Sequence, residues 1–216
     1  MTTPLTHRTF AAVLFDNDGT LIDSAPAVVR AWTTWAAEHG VDILTLRGFH
    51  GVPAAGIIQA VAPHLDQQAA LARIIELEES DTTDVLALPG AVEALTALGP
   101  RAAIATSATR GLALARLHAA GIPLPEVIVT VEDITHGKPH PEPYLLAAER
   151  VGADPADCLV VEDAPSGLTS ARAAGCATVA VVTTGERHEL EADLVVPDLS
   201  HVRFGTTSGR VALSLA

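Results

Sequence analysis

Two aspartates two residues apart, Asp16 and Asp18, follow the apolar run AAVLF (11–15) in the segment Phe15-Asp16-Asn17-Asp18-Gly19-Thr20. If the loop curls, both carboxylates face one pocket. Their oxygens there suit a hard divalent cation, and one carboxylate can attack phosphorus while the other moves a proton. Asp and Gly also build ordinary turns, so the hexapeptide by itself leaves an Asp-rich turn open. Thr106 and Ser107 close the run AAIAT, with hydroxyls able to hold a phosphate oxygen; a Ser/Thr helix cap is the competing reading. Lys138 stands between Gly137 and Pro139 just before a helical stretch, where a lone lysine would ordinarily be solvated. Glu162 and Asp163 end the apolar run CLVV. Adjacent acids repel unless something positive lies between them, which points to a cation. A helix N-cap at Asp163 is the alternative.

The elements that must position these residues are legible as alternating runs. Short apolar segments recur at 11–15, 102–106, 127–131, 158–161, 177–182 and 193–196. Between them lie stretches of helical spacing, several opening with Pro or Thr and closing with Gly. Strands without polar alternation, separated by amphipathic helices, predict a parallel sheet covered on both faces. Sites in such sheets lie at the carboxyl ends of the strands, which is where all four clusters fall. From Ser24 to Leu88 no strand-like run appears, only helical stretches such as APAVVRAWTTWAAEHG. This predicts a helical insert over 24–88, with 1–23 and 89–216 forming the sheet domain. The last dozen residues read equally as a tail or as an edge strand.

Composition narrows the partners. The 216 residues carry 26 acids against 13 Lys and Arg, a formal net charge of −13. That balance argues against a nucleic-acid surface, which needs a basic stripe. It leaves an anionic small substrate possible, because a metal or helix N-termini can reverse the sign locally. The longest stretch without a charged side chain, Gly48 to Leu65, is broken by prolines, glycines and histidines, and no membrane span is expected. Cys158 and Cys176 lie in apolar runs and read as small core residues. A soluble, cytoplasmic protein is expected.

In the order acid pair, hydroxyl, lysine, acid pair, the chain resembles the haloacid dehalogenase-like (HAD) superfamily of phosphotransferases. FDNDGTLIDS, ATSATR, GKPHPEPY and VVEDAPSGLTSARAAGC stand at that family's four motif positions. The resemblance covers nearly the whole chain and implies an α/β fold, a Rossmann-like parallel-sheet core with an inserted helical C1 cap. It implies Asp16 as the nucleophile that forms an aspartyl-phosphate, and Asp18 as the general acid and base. Mg2+ would be held by Asp16, the backbone carbonyl of Asp18 and Asp163, with Glu162 contributing directly or through water. The hydroxyl of Thr106 or Ser107, the alignment allowing either, and the ammonium of Lys138 would bind phosphoryl oxygens. Asn17 replaces a commonly apolar residue and is expected to point away from the site.

HGKPHPEPYL and EDAPSG…AAGC are most similar to the sugar- and polyol-phosphate phosphatases, which implies a small phosphorylated sugar or polyol as substrate and a monomer or weak dimer. In the cap, His50 and Gly51 of GFHGVPAAGII could reach the pocket, whereas Trp32 and Trp35, three apart on one helix, should pack the cap itself. The rival within the family is a beta-phosphoglucomutase-like phosphotransferase. Its characteristic cap histidine and arginine correspond here to Val28 and Ala54. Arg30, Arg47 and Arg73 are the only strongly basic cap residues, few for gripping a second phosphate, so hydrolysis is favoured. A non-catalytic regulator is disfavoured because Asp16, Asp18, Lys138 and Asp163 are all present.

Overall fold

The computed structural model describes residues 4–46 and 52–216; the expected cap residues His50 and Gly51, with Arg47, lie outside them. In chain order the elements begin with strands β1 (Thr9–Phe10), β2 (Ala12–Phe15) and β3 (Ile22–Asp23). Helices α1 (Ala25–His39), α2 (Ala54–Val61) and α3 (Gln67–Ser80) follow, then β4 (Leu86–Ala87) and α4 (Ala91–Leu98). Next come β5 (Ala102–Ala105), α5 (Arg110–Ala119), β6 (Val127–Val129), α6 (Glu142–Arg150), β7 (Cys158–Glu162) and α7 (Pro165–Ala173). The chain closes with β8 (Ala177–Val181), β9 (Leu194–Val196), β10 (Val202–Thr207) and β11 (Arg210–Leu215).

All six predicted apolar runs are strands of one parallel sheet, ordered β6-β5-β2-β7-β8-β9. Their lack of alternation has a simple cause: both faces are covered. Val13, Phe15, Ile104, Leu159, Val161 and Val179 point to the face packed by α4 and α5. Ala12, Leu14, Ala103, Val129, Cys158 and Val160 point to the other, against Tyr144 and Ala147 of α6 and Ala171 of α7. Both cysteines are free and buried, as expected of small core residues. From the central β2 the chain order runs outward in both directions, so a crevice opens at the carboxyl ends of β2, β5 and β7.

Side chains of α1, α2 and α3 form their own apolar cluster, with Trp35, Ile58 and Ile74 at its centre. The indole rings of Trp32 and Trp35 meet edge-on at 5.4 Å, and the Trp35 Nε1–H donates to the Ala70 carbonyl at 2.9 Å. Both tryptophans thus pack the helices on one another. Asp66 caps α3 by accepting from the N–H groups of Gln68 and Ala69. One detail departs from the expected all-helical insert. β3 and β4 pair antiparallel, Ile22 opposite Ala87 and Asp23 opposite Leu86, where the chain leaves and re-enters the sheet domain. Two residues are too few to show a period in sequence.

The C-terminal dozen holds the end of β10 and all of β11, in a second sheet. β10 and β11 form a hairpin with Thr207 opposite Arg210, and β11 pairs with β1. The loop Ser208-Gly209 has positive φ at both residues, as a two-residue hairpin turn requires. Phe204 of this hairpin meets the ring of Phe15 edge-on at 6.1 Å, bracing the residue that precedes Asp16. Among the described residues no helix is long and apolar enough to cross a membrane.

Candidate active site

Asp16 continues β2 by one step, its N–H donating to the Val161 carbonyl at 3.0 Å. The chain then folds back: the carbonyl of Asn17 accepts from the N–H groups of Thr20, Leu21 and Ile22. Gly19 takes a left-handed φ of 90° in this turn, and a Cβ there would lie 2.3 Å from an oxygen of Asp163. Glycine therefore lets the first acidic loop close onto the second.

Lys138 is the hub. Its buried ammonium pairs with Asp16 and donates to Glu162 Oε1 at 2.7 Å. Glu162 is itself fully engaged. Oε1 also accepts from the Tyr144 hydroxyl at 2.7 Å, and Oε2 from the N–H groups of Asp163 and Ala164 at 3.0 and 3.1 Å. A Cβ on Gly167 would fall 1.7 Å from Glu162 Oε1, so the glycine of Pro165-Ser166-Gly167 makes room for that carboxylate. Asp163 accepts from Thr20 Oγ1 at 3.2 Å and from the hydroxyl of Thr184.

Thr106 is buried at the end of β5 and its Oγ1 accepts from the Ala108 N–H at 3.1 Å. Thr109, not Thr106 or Ser107, caps α5 by accepting from the Leu112 N–H. The competing reading of the hydroxyl pair as the helix cap is thereby displaced by two residues. Thr183 and Thr184, which follow β8, are part of the same edge and were not singled out from sequence. Their signal is the one used for Thr106: hydroxyls directly after an apolar run.

Asp18 stands apart. The carboxylates of Asp16, Glu162 and Asp163 all have an oxygen within 4.8 Å of one another, and that of Asp18 is not among them. It accepts instead from Ser24 Oγ at 2.6 Å, Arg116 Nη1 at 2.8 Å and Asn17 Nδ2 at 3.2 Å. The expectation that both aspartates face one pocket describes the backbone loop better than these side chains. Asn17, expected to point away, has its amide on Asp18. Arg116 and its second partner Glu78 carry no local sequence signal, since each is one charged residue within an amphipathic helix.

The electrostatics follow from crowding. Burial, with the charges of Glu162 and Asp163 added, raises Asp16 well above the usual carboxylate range, and Lys138 offsets part of this. Burial and the adjacent Glu162 push Asp163 up to about 7, against the hydroxyls of Thr184 and Thr20. Burial acts to lower Lys138, but Asp16 and Glu162 outweigh it and hold the ammonium protonated. One cation thus faces three carboxylates. An all-oxygen, anionic donor set short of positive charge fits a hard divalent ion. His136, His140 and Glu142 form a second, more exposed group of ligand-type side chains near the same loop. There Glu142 already accepts from the N–H groups of Thr135 and His136.

A doubly covered parallel sheet, with an acid, a lysine and an acid pair at its carboxyl edge and helices inserted after the first strand, defines an α/β enzyme. Residues 10–175 match the family model of haloacid dehalogenase-like hydrolases, and the chain belongs to that family. It is 41% identical to hexitol phosphatase A of Escherichia coli over 88% of this chain and 91% of that one. It is 34% identical to glycerol-1-phosphate phosphohydrolase 1 of Saccharomyces cerevisiae, over 94% and 88% of the two chains. Among solved structures, a hydrolase from Pseudomonas syringae matches with a TM-score of 0.79 at 28% identity, covering 89% of this chain and 95% of that one. A beta-phosphoglucomutase-type structure from Thermotoga maritima matches with 0.65, also at 28% identity, over 88% and 95%. The protein is an enzyme of the phosphatase kind.

The raised acids make stability depend on pH and metal together. An unfolded Asp titrates near ~3.9, whereas Asp163 in the fold titrates at about 7 and Asp16 is shifted the same way. The fold binds more protons than the unfolded chain in this window, so the contribution of Asp163 is lost as pH rises from about 4 through about 7, and Asp16 acts in the same direction. The metal-free protein should melt at a lower temperature at about pH 8 than at about pH 5. Mg2+ should raise the melting temperature more at the higher pH, measured by scanning calorimetry. An Mg2+ effect of equal size at both pH values would contradict this reading.

Proposed function

We propose that this enzyme hydrolyses small sugar or polyol phosphate monoesters through an aspartyl-phosphate formed on Asp16. The observation that carries the reading is the buried Lys138, in contact with Asp16 and Glu162 at the sheet edge where Asp163 and Thr106 also end their strands. Residues 1–23 and 89–216 act as the chemical core and 24–88 as the cap that selects the substrate.

A phosphate dianion and an attacking carboxylate repel each other, so positive charge must lie between them. Asp16, the backbone carbonyl of Asp18 and Asp163 would hold Mg2+, with Glu162 acting through its neighbours because both its oxygens already accept hydrogen bonds. The ion, when bound, supplies charge that screens the approach and stabilises the phosphoryl oxygens. Lys138 supplies the protein's own share. It orients Asp16 and, with the hydroxyl of Thr106 or Ser107, binds phosphoryl oxygens. An oxygen of Asp16 attacks phosphorus as the ester P–O bond breaks, and Asp18 gives its proton to the departing alkoxide. Asp18 then takes a proton from water, which attacks phosphorus and releases inorganic phosphate and free Asp16. To do this Asp18 must turn from the partners it has here.

The substrate class draws support from two directions. Hexitol phosphatase A and glycerol-1-phosphate phosphohydrolase 1 are named for phosphates of small polyols. Among the described residues the cap also has little to offer a second phosphate. Arg30 is paired with Asp81 and Asp84, and Arg73 with Glu38 and Glu76. A buried phosphate without a cationic partner would be costly, so transfer through a bisphosphate is disfavoured.

Asp16→Asn should leave circular dichroism unchanged and reduce turnover below detection, since an amide is a far poorer nucleophile; retention of about a tenth of the activity would refute the assignment. The reading as a hydrolase is tested by product analysis on beta-glucose 1-phosphate with a trace of the 1,6-bisphosphate. Free phosphate should appear faster than glucose 6-phosphate, and the reverse order would establish a mutase.

A further inference from the structure

Arg116 and Glu78 are buried charges that the chemistry above does not use. Arg116, on the inner side of α5, is 3% exposed, and Glu78, near the end of α3, is 8% exposed. Arg116 Nη1 donates to Asp18 Oδ1 at 2.8 Å and Nη2 donates to Glu78 Oε1 at 3.1 Å. One guanidinium thus bridges three parts of the chain: the core helix α5, the loop after β2 and the inserted helix α3. A second contact joins the same elements at the start of α5, where Oγ1 of its capping residue Thr109 donates to Glu79 Oε1 of α3 at 3.3 Å. Two buried charges beside the half-buried Asp18 gain little stability over well-packed apolar side chains, so a role other than stability accounts for them better.

The pattern of donors suggests that role. Asp18 accepts hydrogen bonds from Ser24, Arg116 and Asn17, and its carboxylate lies outside the cluster formed by Asp16, Glu162 and Asp163. A group that protonates a leaving alkoxide must instead point its own O–H at the substrate. Asp18 therefore has to part from Arg116 before it can act. A buried guanidinium left with no counter-ion would be strongly unfavourable. Glu78 prevents that: with Asp18 gone, Arg116 and Glu78 remain as a neutral pair.

We propose that Arg116 is a positioning residue that holds Asp18 withdrawn from the reaction centre, and that Glu78 is the alternative counter-ion that lets Arg116 release it. Because Glu78 belongs to the inserted helices, their docking onto α5 sets how readily the acid–base group becomes available. This rests on the reading of Asp18 as the proton donor. The mechanism is charge exchange: Arg116 keeps one carboxylate partner at all times, and the insert supplies the second.

The test compares glycerol phosphate, whose alkoxide needs a proton, with p-nitrophenyl phosphate, whose phenolate does not. The readout is kcat/KM, which ends at alcohol release and so excludes dephosphorylation. Glu78→Gln keeps size and hydrogen bonding but removes the competing charge, leaving Arg116 to Asp18 alone. It should lower kcat/KM on glycerol phosphate by about tenfold and on p-nitrophenyl phosphate by less than about threefold. The double variant Arg116→Met with Glu78→Met removes holder and counter-ion together. It should return the ratio of the two substrates to within about threefold of wild type. Equal losses on both substrates from Glu78→Gln, or no loss, would overturn the proposal, and if the double variant fails to fold the single variant still decides. A wild-type enzyme whose Asp18→Asn variant shows no preference between the two substrates would instead refute the role of Asp18 on which the proposal rests.

Discussion

One ammonium against three buried carboxylates is the constraint on which the rest of the site depends. Lys138 touches Asp16 and Glu162, and Asp163 is within the same 4.8 Å cluster of oxygens. Nearly every nearby feature lowers the cost of that crowding. Tyr144 and two backbone N–H groups hold Glu162, while Thr20 and Thr184 hold Asp163. Gly19 and Gly167 remove the Cβ atoms that would keep these groups apart. What the protein does not supply is enough positive charge, and on the proposed function a divalent cation would make up that shortfall. The chain's overall charge of −13 gives no help, so attraction of an anionic substrate is a local achievement of a few atoms.

The sheet was legible because its chemistry is uniform. A strand buried on both faces must be apolar throughout, and each of the six runs ends where polar residues begin, which is also where the crevice opens. Asp16, Lys138, Glu162 and Asp163 could be found for the same reason: each lies at or close to such an end. The rest of the site was less accessible from sequence. The direction of the Asp18 side chain depends on Arg116, which is 98 residues away in the chain. Arg116 and Glu78 look like any charged residues of amphipathic helices until the tertiary contact is known. The sheet of β1, β10 and β11 joins the two ends of the chain, and a two-residue strand such as β1 has no period to detect.

The inserted helices have two distinct relations to the site. Their interior, around Trp32, Trp35, Ile58 and Ile74, is an independent apolar cluster that fixes their mutual packing. Among the described residues their contact with the core includes a charged patch of Glu78, Glu79, Arg116 and Thr109, as well as Ala27 of α1, which packs in the core cluster. Such a surface can separate and re-form with less hydrophobic cost than an apolar one. On the proposed function, inserted helices joined to the core in this way would admit a small hydrophilic ester.

On the proposed function, carboxylates raised by burial and by one another await a divalent cation. Calorimetric titration of Mg2+ into the metal-free protein at about pH 6.5, in two buffers of different ionisation enthalpy, tests it most directly. Because Asp163 titrates at about 7 and Asp16 is raised as well, binding must release protons, and the apparent heats in the two buffers should differ. Identical heats accompanying saturable binding, or the absence of binding, would contradict the account.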